Sequence, residues 1–165
     1  MIGDRTPPPR QGSEREILTG MLDFVRGAVV RKLEGLTEEQ ARSAPVPPST
    51  LTPGGLVKHL TGVERFWFSL DFAGLDLPLP WPEDDRHGAF ALTEQDTVAG
   101  LVAAYRAECA RSEESVAAFA LDDTATAPGM DFTLRFAYAH LIQETARHAG
   151  HLDLLRERID GRTGQ

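Results

Sequence analysis

Apolar side chains recur along most of the chain at intervals of three and four residues, which is the spacing of an amphipathic helix. The first such stretch follows Ser13, which forms a capping-box pattern with Glu16. It predicts a helix that runs to about Leu33 and ends at Gly35. Thr37 begins a second capping box, which predicts a further helix of one or two turns.

A second long helix is predicted from Thr52, with Pro53 at the first helical position, where its missing N–H costs nothing. This helix should end near Gly74. Its apolar positions follow one another at intervals typical of a helix that packs in a bundle. They are Leu56, His59, Val63, Phe66 and Leu70.

Two more long helices complete the pattern. Thr93 is the predicted cap of the third, and the fourth should extend from about Phe132 to Ile159, with Gly161 as its end. The apolar side of the third consists of Val98, Leu101, Val102, Tyr105, Cys109, Val116 and Phe119. The core stripe of the fourth consists of Leu141, Thr145, His148, Leu152, Leu155 and Ile159. No stretch alternates with a period of two, so we predict an all-α four-helix bundle.

The stretches outside these helices set the predicted domain organisation. Residues 75–90 combine helix-breaking prolines and a glycine with mixed polarity, and we interpret them as a long ordered loop between the second and third long helices. A loop of this length in a compact domain often forms a lid or a pocket wall. His87 lies in its polar part and is interpreted as solvated. We expect residues 1–12 to be a disordered lead and residues 13–162 to form a single domain.

Composition and charge exclude several classes of function. The 17 Lys and Arg against 25 Asp and Glu give a formal net charge of −8, which repels a phosphate backbone, so nucleic acid is not an expected partner. No apolar run reaches the roughly 18 residues of a transmembrane helix, so no membrane partner is expected. The single cysteine, Cys109, excludes an internal disulfide scaffold. A cytoplasmic protein is the resulting expectation.

The candidate chemistry lies on the second and fourth long helices. His148 belongs to the core stripe of the fourth, with Glu144 four residues before it and His151 three residues after it. His140 adds another turn to the same side, and His59 occupies a core position of the second helix. Inward-facing imidazoles and carboxylates are costly to bury unless something pairs with them. A shared divalent metal would provide that partner, and these ligand types suit Zn²⁺, which we favour, or Ni²⁺.

Simpler explanations of the same residues remain open. His59 on its own could be a hydrogen-bonded core histidine, and Glu144 with His148 could be a helix-stabilising pair worth roughly 0.3 kcal/mol. We interpret His140 and His151 as groups that relay protons or orient a ligand rather than as metal ligands. The combination of an inward Glu-x-x-x-His with an inward His59 favours the metal.

Two stretches resemble the DinB/YfiT-like metalloenzyme superfamily: LTPGGLVKHLTGVERFWF and HLIQETARHAGHLDLLRERIDG. The similarity covers about residues 14–162. It implies an up-down-down-up bundle with a metal held by three side chains, which fall here on His59, Glu144 and His148. All three are His in the commonest form, and the variant with Glu is similar to the branch of mycothiol-dependent maleylpyruvate isomerases. His151 stands where many relatives have Gln, so no ligand role is carried over to it.

The leading functional hypothesis is a metal-dependent thiol transferase or isomerase that joins a low-molecular-weight thiol, such as mycothiol, to an electrophile. A divalent ion lowers the pKa of a thiol and so produces the thiolate nucleophile. We interpret Trp67, Trp81 and Tyr105 as walls of the pocket that binds these molecules. The alternatives are a metal-dependent hydrolase with the same ligands and a non-catalytic bundle that binds a ligand or partner. The exposed apolar parts of the helices are also compatible with a homodimer.

Overall fold

The computed structural model describes residues 6–81 and 89–163, and within these ranges the chain is a helical bundle. The helices are α1 (Glu14–Leu33), α2 (Glu38–Arg42), α3 (Pro53–Glu64), a π-helical segment that continues α3 (Arg65–Phe72), α4 (Val98–Val116) and α5 (Leu134–Asp160). The four long members are α1, α3 with its π-helical segment, α4 and α5, which confirms the predicted four-helix bundle. His87, the middle of the predicted loop and the first part of the predicted lead lie outside the described residues.

Local sequence signals set most of the helix ends where they were predicted. The Ser13 side chain accepts a hydrogen bond from the backbone N–H of Glu16, and the Glu16 carboxylate accepts one from the backbone N–H of Ser13 at 2.7 Å. Thr52 caps α3 in the same way, with Pro53 as its first residue. Gly161 ends α5 with a φ of 75°, a left-handed conformation that glycine adopts without strain.

Two ion pairs show that α1 and α5 run in the same direction. Glu14, at the start of α1, lies 2.7 Å from Arg135, at the start of α5. Lys32, near the end of α1, pairs with Asp153 in the second half of α5. Because both pairs join corresponding ends, the two helices are parallel.

The same argument shows that α3 and α4 are parallel. Lys58, early in α3, lies 2.8 Å from Asp96, just before α4. About two turns further along the helix, Arg65 lies 2.7 Å from Glu108, in the middle of α4. A parallel pair needs a long connection that returns the chain to the first end of the bundle, and residues 73–97 provide it.

A contact between α1 and α4 completes the topology. Arg15, at the start of α1, donates a hydrogen bond to the carbonyl of Val116, at the end of α4, at 2.9 Å. α1 is therefore antiparallel to α4 and to its parallel neighbour α3. The four long helices run up, down, down and up, as the resemblance implied. No helix in the described ranges combines the length and the apolar character needed to cross a bilayer.

The π-helical segment changes which side chains of the second long helix reach the core. Phe66 and Leu70 were predicted in the core stripe, but the buried apolar residues of this segment are Phe68 and Phe72, which are 1% and 0% exposed. The N–H of Ala73 donates to the carbonyl of Phe68, five residues earlier, at 2.9 Å. A π-helical turn holds more residues than an α-helical turn, so the apolar face rotates relative to an α-helical pattern.

The start of α4 also differs from the prediction. Thr97, and not Thr93, caps the helix, because its side chain accepts a hydrogen bond from the N–H of Gly100 at 3.1 Å. Thr93 instead donates its backbone N–H to Asp96 at 2.7 Å in a turn before the helix. Both threonines precede a helix-compatible stretch, so the pattern alone did not distinguish them.

A buried ion pair that the sequence reasoning did not single out joins α1 to the end of α3. Arg26 is 0% exposed and Glu64 is 1% exposed, and two nitrogens of the guanidinium lie 2.7 Å from the two carboxylate oxygens. Arg26 also contacts the half-exposed carboxylates of Asp23 at 2.9 Å and Glu113 at 2.7 Å. The pair and its contact with Glu113 therefore link α1, α3 and α4 inside the bundle, at the end of the helix that carries His59.

Candidate metal centre

α3 and α5 bring His59, Glu144 and His148 together. One ligand atom from each residue lies within 4.8 Å of the other two. Glu144 Oε1 lies 2.9 Å from His148 Nε2 and 3.6 Å from His59 Nε2. Zinc bonds to nitrogen and oxygen are about 2.0–2.2 Å long, so one ion could reach all three atoms after small side-chain shifts.

The helix positions explain this convergence. Glu144 and His148 are one turn apart on α5, so their side chains project from the same side of the helix. His59 projects from α3 towards them, and its ring centroid lies 4.9 Å from that of His148 in an edge-on arrangement. All three side chains are largely buried, with 14% of His59, 23% of Glu144 and 9% of His148 exposed. The centre is therefore shielded from bulk water.

The electrostatics suit a cation. Burial lowers the pKa of His59, and the neighbouring His148 lowers it further. Burial likewise lowers the pKa of His148, against the opposing effect of Glu144. Burial acts to raise the pKa of Glu144, but the charge and hydrogen bonds of the two imidazoles outweigh it and hold that pKa below its usual value. Near neutral pH the cluster therefore offers two neutral imidazoles and one ionised carboxylate, a donor set that zinc uses in proteins.

His151 contacts the centre from behind His148. The two Nδ1 atoms are 3.3 Å apart, a hydrogen-bonding distance at which one ring must donate and the other accept. A metal-binding histidine usually donates its second ring N–H to a partner that fixes its orientation. His151 is placed to accept that proton, so an orienting role is compatible with its position. Nδ1 of His59 is buried and has no such partner among the described residues.

His140 lies one turn before Glu144 on α5 and contacts aromatic rings. Its ring centroid lies 4.1 Å from that of Trp67 and 6.0 Å from that of Phe136. The part of the chain that the structure describes shows no hydrogen bond from His140 to the three candidate ligands. A proton-relay role for His140 stays a prediction.

The three predicted pocket residues lie in different surroundings. The ring of Trp81 stacks over His59 with centroids 6.0 Å apart, and Trp67 lies beside His140. Tyr105, in contrast, is 0% exposed in the core beside Cys109, where burial raises the pKa of its hydroxyl well above the usual value. A side chain without exposed surface cannot line an open pocket, so we do not carry the pocket role of Tyr105 further.

Sequence reasoning missed one residue that contacts the centre. The ring of Phe90 stacks on His59 with centroids 4.2 Å apart and an interplanar angle of 17°. Its signal was an aromatic residue at the end of a loop of mixed polarity. Because Trp81 and Phe90 lie on either side of residues 82–88, both described ends of the loop contact His59. This arrangement agrees with the predicted role of the loop as a pocket wall.

A separate cavity of about 370 Å³ lies between α3 and the start of α4. Lys58 and Arg65 contribute to its lining, and both are paired, with Asp96 at 2.8 Å and Glu108 at 2.7 Å. Pro80 forms part of its wall and is followed by Trp81, so the two sites are neighbours. The charges of this cavity are compensated within the protein.

Comparison with known proteins gives a family and a fold. A family model described as Mycothiol-S-transferase matches residues 17–161. Among solved structures, the chain is similar to a conserved protein from Enterococcus faecalis, with a TM-score of 0.69 and 16% sequence identity. The similarity covers 92% of this chain and 100% of that one, and at this identity it shows a shared fold alone. No curated protein matches the chain.

Proposed function

The chain belongs to the mycothiol-S-transferase family, and on that premise we propose that it is a metal-dependent enzyme that transfers a low-molecular-weight thiol to an electrophile. In this reaction the thiol loses its proton, its sulfur forms a bond to the electrophilic carbon, and the leaving group departs with the electrons of the broken bond. Mycothiol is the proposed thiol. The observation that carries the proposal is the convergence of His59, Glu144 and His148 in a shielded site.

The proposed metal is Zn²⁺, with Ni²⁺ as the alternative, and its ligands are His59, Glu144 and His148. When bound, the ion supplies positive charge that favours the ionised form of a thiol and polarises a carbonyl on the acceptor. The two imidazoles contribute neutral donors, and the carboxylate of Glu144 offsets one charge of the ion. Three protein ligands leave at least one position open for a small molecule, as catalytic zinc sites require.

The side chains around these ligands have proposed roles of their own. His151 would hold His148 in the tautomer whose Nε2 lone pair faces the site, since its Nδ1 lies 3.3 Å from Nδ1 of His148. Phe90 stacks directly on His59 and Trp81 stacks at a greater distance, and both rings would exclude water from the reacting atoms. These roles need no movement of the helices.

One observation favours thiol transfer over hydrolysis on the same site. Hydrolysis would need, besides the ligands, a base within hydrogen-bonding reach of the attacking water. Of the carboxylates in the described residues, Glu144 is the one at the centre, and it already contacts both His59 and His148. A thiol needs no such base, because it ionises far more readily than water.

A reduced thiol as cosubstrate also supports the proposal that the protein acts in the cytoplasm.

The first test is the metal content of protein prepared without a metal-binding tag, measured by mass spectrometry. We expect nearly one equivalent of zinc or nickel in the parent and its loss in His148→Ala. His140→Ala is the matched control on the same helix and should keep its metal. A parent that contains no metal and takes up neither Zn²⁺ nor Ni²⁺ would contradict the enzyme proposal and favour a non-catalytic bundle.

The second test follows the reaction itself. The metal-loaded protein is incubated with mycothiol and 1-chloro-2,4-dinitrobenzene, and formation of the thioether is measured against the rate without protein. We expect acceleration by the parent and a loss of at least about 100-fold in His148→Ala, because ligand loss costs more than the 10–100-fold of a supporting residue. Hydrolysis of an ester without any dependence on thiol would instead support the hydrolase alternative.

A further inference from the structure

A stripe on α5 connects the candidate metal centre to a group of aromatic rings. Phe136, His140, Glu144 and His148 follow one another on α5 at intervals of four residues, so they lie along one side of the helix, and Phe132 comes just before its first residue. Two candidate ligands form one end of the stripe and aromatic side chains form the other.

The segment that follows α3 faces this stripe with rings of its own. Trp67 lies 5.3 Å from Phe132, 6.1 Å from Phe136 and 4.1 Å from His140, measured between ring centroids. Phe66 lies 5.6 Å from Trp81, which in turn lies 6.0 Å from His59. Contacting rings therefore lead from the candidate metal centre to the protein surface.

The rings are not buried as a core would be. Phe136 is 50% exposed, although a phenyl ring at such a position is costly to leave in water. Phe66, Trp67, Trp81 and His140 are half-buried. Partly exposed aromatic rings in contact with one another, beside a group of convergent polar residues, are typical of a binding site for a small molecule.

We propose that this aromatic strip, formed by Phe66, Trp67, Trp81, Phe136 and His140, binds the electrophilic acceptor, and that the preferred acceptors carry a flat aromatic or conjugated group. Stacked and edge-on rings favour a flat π system over a saturated group of equal size. The strip reaches His59 through Trp81, so a bound acceptor has its reactive end near the candidate metal centre. The role as acceptor site rests on the proposed function, whereas the binding of a flat aromatic molecule does not.

The chain offers a direct probe, because its two tryptophans, Trp67 and Trp81, both belong to the strip. Binding is followed by quenching of tryptophan fluorescence with 2,4-dinitrotoluene, an unreactive aromatic probe, in the absence of thiol. We expect saturable quenching that cyclohexanone, a non-aromatic competitor, does not reverse. Trp67→Phe should remove a large part of the quenched signal. A linear, unsaturable response would overturn the proposal.

A matched pair of variants locates the binding. Phe136→Ser should weaken binding of the probe at least fivefold, whereas Leu154→Ser, which changes a side chain that is 60% exposed on the same helix, should bind like the parent. Both positions are exposed, so neither substitution is expected to prevent folding. Equal affinity of the two variants would overturn the proposal. So would sedimentation data in which the parent is a dimer and Phe136→Ser a monomer, because a second copy would then cover the strip.

The metal content of the same variants separates this inference from the proposed function. Phe136→Ser should contain as much metal as the parent and should lose rate with 1-chloro-2,4-dinitrobenzene but not with the small acceptor iodoacetamide. If the parent transfers the thiol and Phe136→Ser has no effect on the rate, the aromatic strip is not the acceptor site, but the proposed function still holds. If the probe binds saturably and no thiol transfer is found, the strip binds aromatic molecules and the proposed function is contradicted.

Discussion

Oε1 of Glu144 lies 2.9 Å from Nε2 of His148, one turn further along α5, so in the metal-free protein a proton between these atoms occupies the place that a cation would take. Metal binding must therefore displace that proton. The ionised carboxylate then offsets one charge of the ion, so the affinity for the metal depends on the charge of Glu144. We expect Glu144→Gln to bind Zn²⁺ at least about 100-fold more weakly. Loss of a residue that only orients a ligand weakens metal binding by about 10–100-fold, and loss of the ligand charge should cost more. Competition with a chromophoric chelator measures this. Glu157→Gln, on the exposed side of α5, is the control and should bind like the parent.

The contact between His151 and His148 predicts an effect on the metal without a change in ligand number. His151→Ala should weaken Zn²⁺ binding by about 10-fold, because the partner that orients the His148 ring is lost. His151→Gln should recover most of the affinity, since an amide oxygen can accept the same hydrogen bond. The visible spectrum of the Co²⁺-substituted protein should change in His151→Ala and return in His151→Gln. An unchanged affinity in both variants would contradict the orienting role.

The lowered pKa values of His59 and His148 predict the pH dependence of stability in the metal-free protein. Both folded-state pKa values lie below the ordinary 6.5, so the unfolded chain binds more protons once the pH falls to that range. The free energy of unfolding should therefore decrease as the pH falls from about 6.5, with a slope of up to about 1.4 kcal/mol per pH unit for each proton. The lowered pKa of Glu144 acts in the same direction below 4.5. Histidine titration by NMR gives the folded midpoints, and urea unfolding at several pH values gives the slope. Midpoints above 6.5 would contradict this prediction.

The buried pair of Arg26 and Glu64 predicts a large loss of stability when one partner is removed. Glu64→Gln leaves the guanidinium in the core without its buried countercharge, and we expect it to lower the free energy of unfolding by about 3 kcal/mol. The contacts of Arg26 with Asp23 and Glu113 keep the loss near the lower end of the usual range. Arg26→Met combined with Glu64→Leu should recover most of the stability. Urea unfolding of the three proteins checks this, and a double variant less stable than Glu64→Gln would refute it.

Signals within a few residues of one another made much of the fold predictable. The helix starts at Ser13 and Thr52 are each decided by a side chain that bonds to the backbone next to it, and the end at Gly161 by the left-handed backbone that glycine adopts. Thr93 was misassigned because two threonines four residues apart offer the same local signal, and the start of α4 depends on where that helix meets its neighbours.

The candidate site was predictable only in part, because contacts between residues far apart in the sequence leave no local pattern. The placement of His59, Glu144 and His148 on core sides of two helices follows from periodicity, which already suggested a shared metal. Their convergence also needs the two helices to be neighbours, and the family resemblance implied that arrangement. The stacking of Phe90 on His59 depends on how a long loop returns to the bundle, which no local pattern encodes. The pairing of Arg26 with Glu64 likewise joins residues 38 positions apart.

The π-helical segment allows the side chains that face the acceptor to change while the metal ligands stay in place. His59 precedes this segment, whereas Phe66 and Trp67 lie within it and face the acceptor side while Phe68 and Phe72 fill the core. A one-residue deletion between positions 65 and 72 would restore α-helical register and turn a different set of side chains towards the acceptor, without moving the ligands. Relatives that keep the same metal chemistry could diverge in the molecules they modify by altering this short stretch alone.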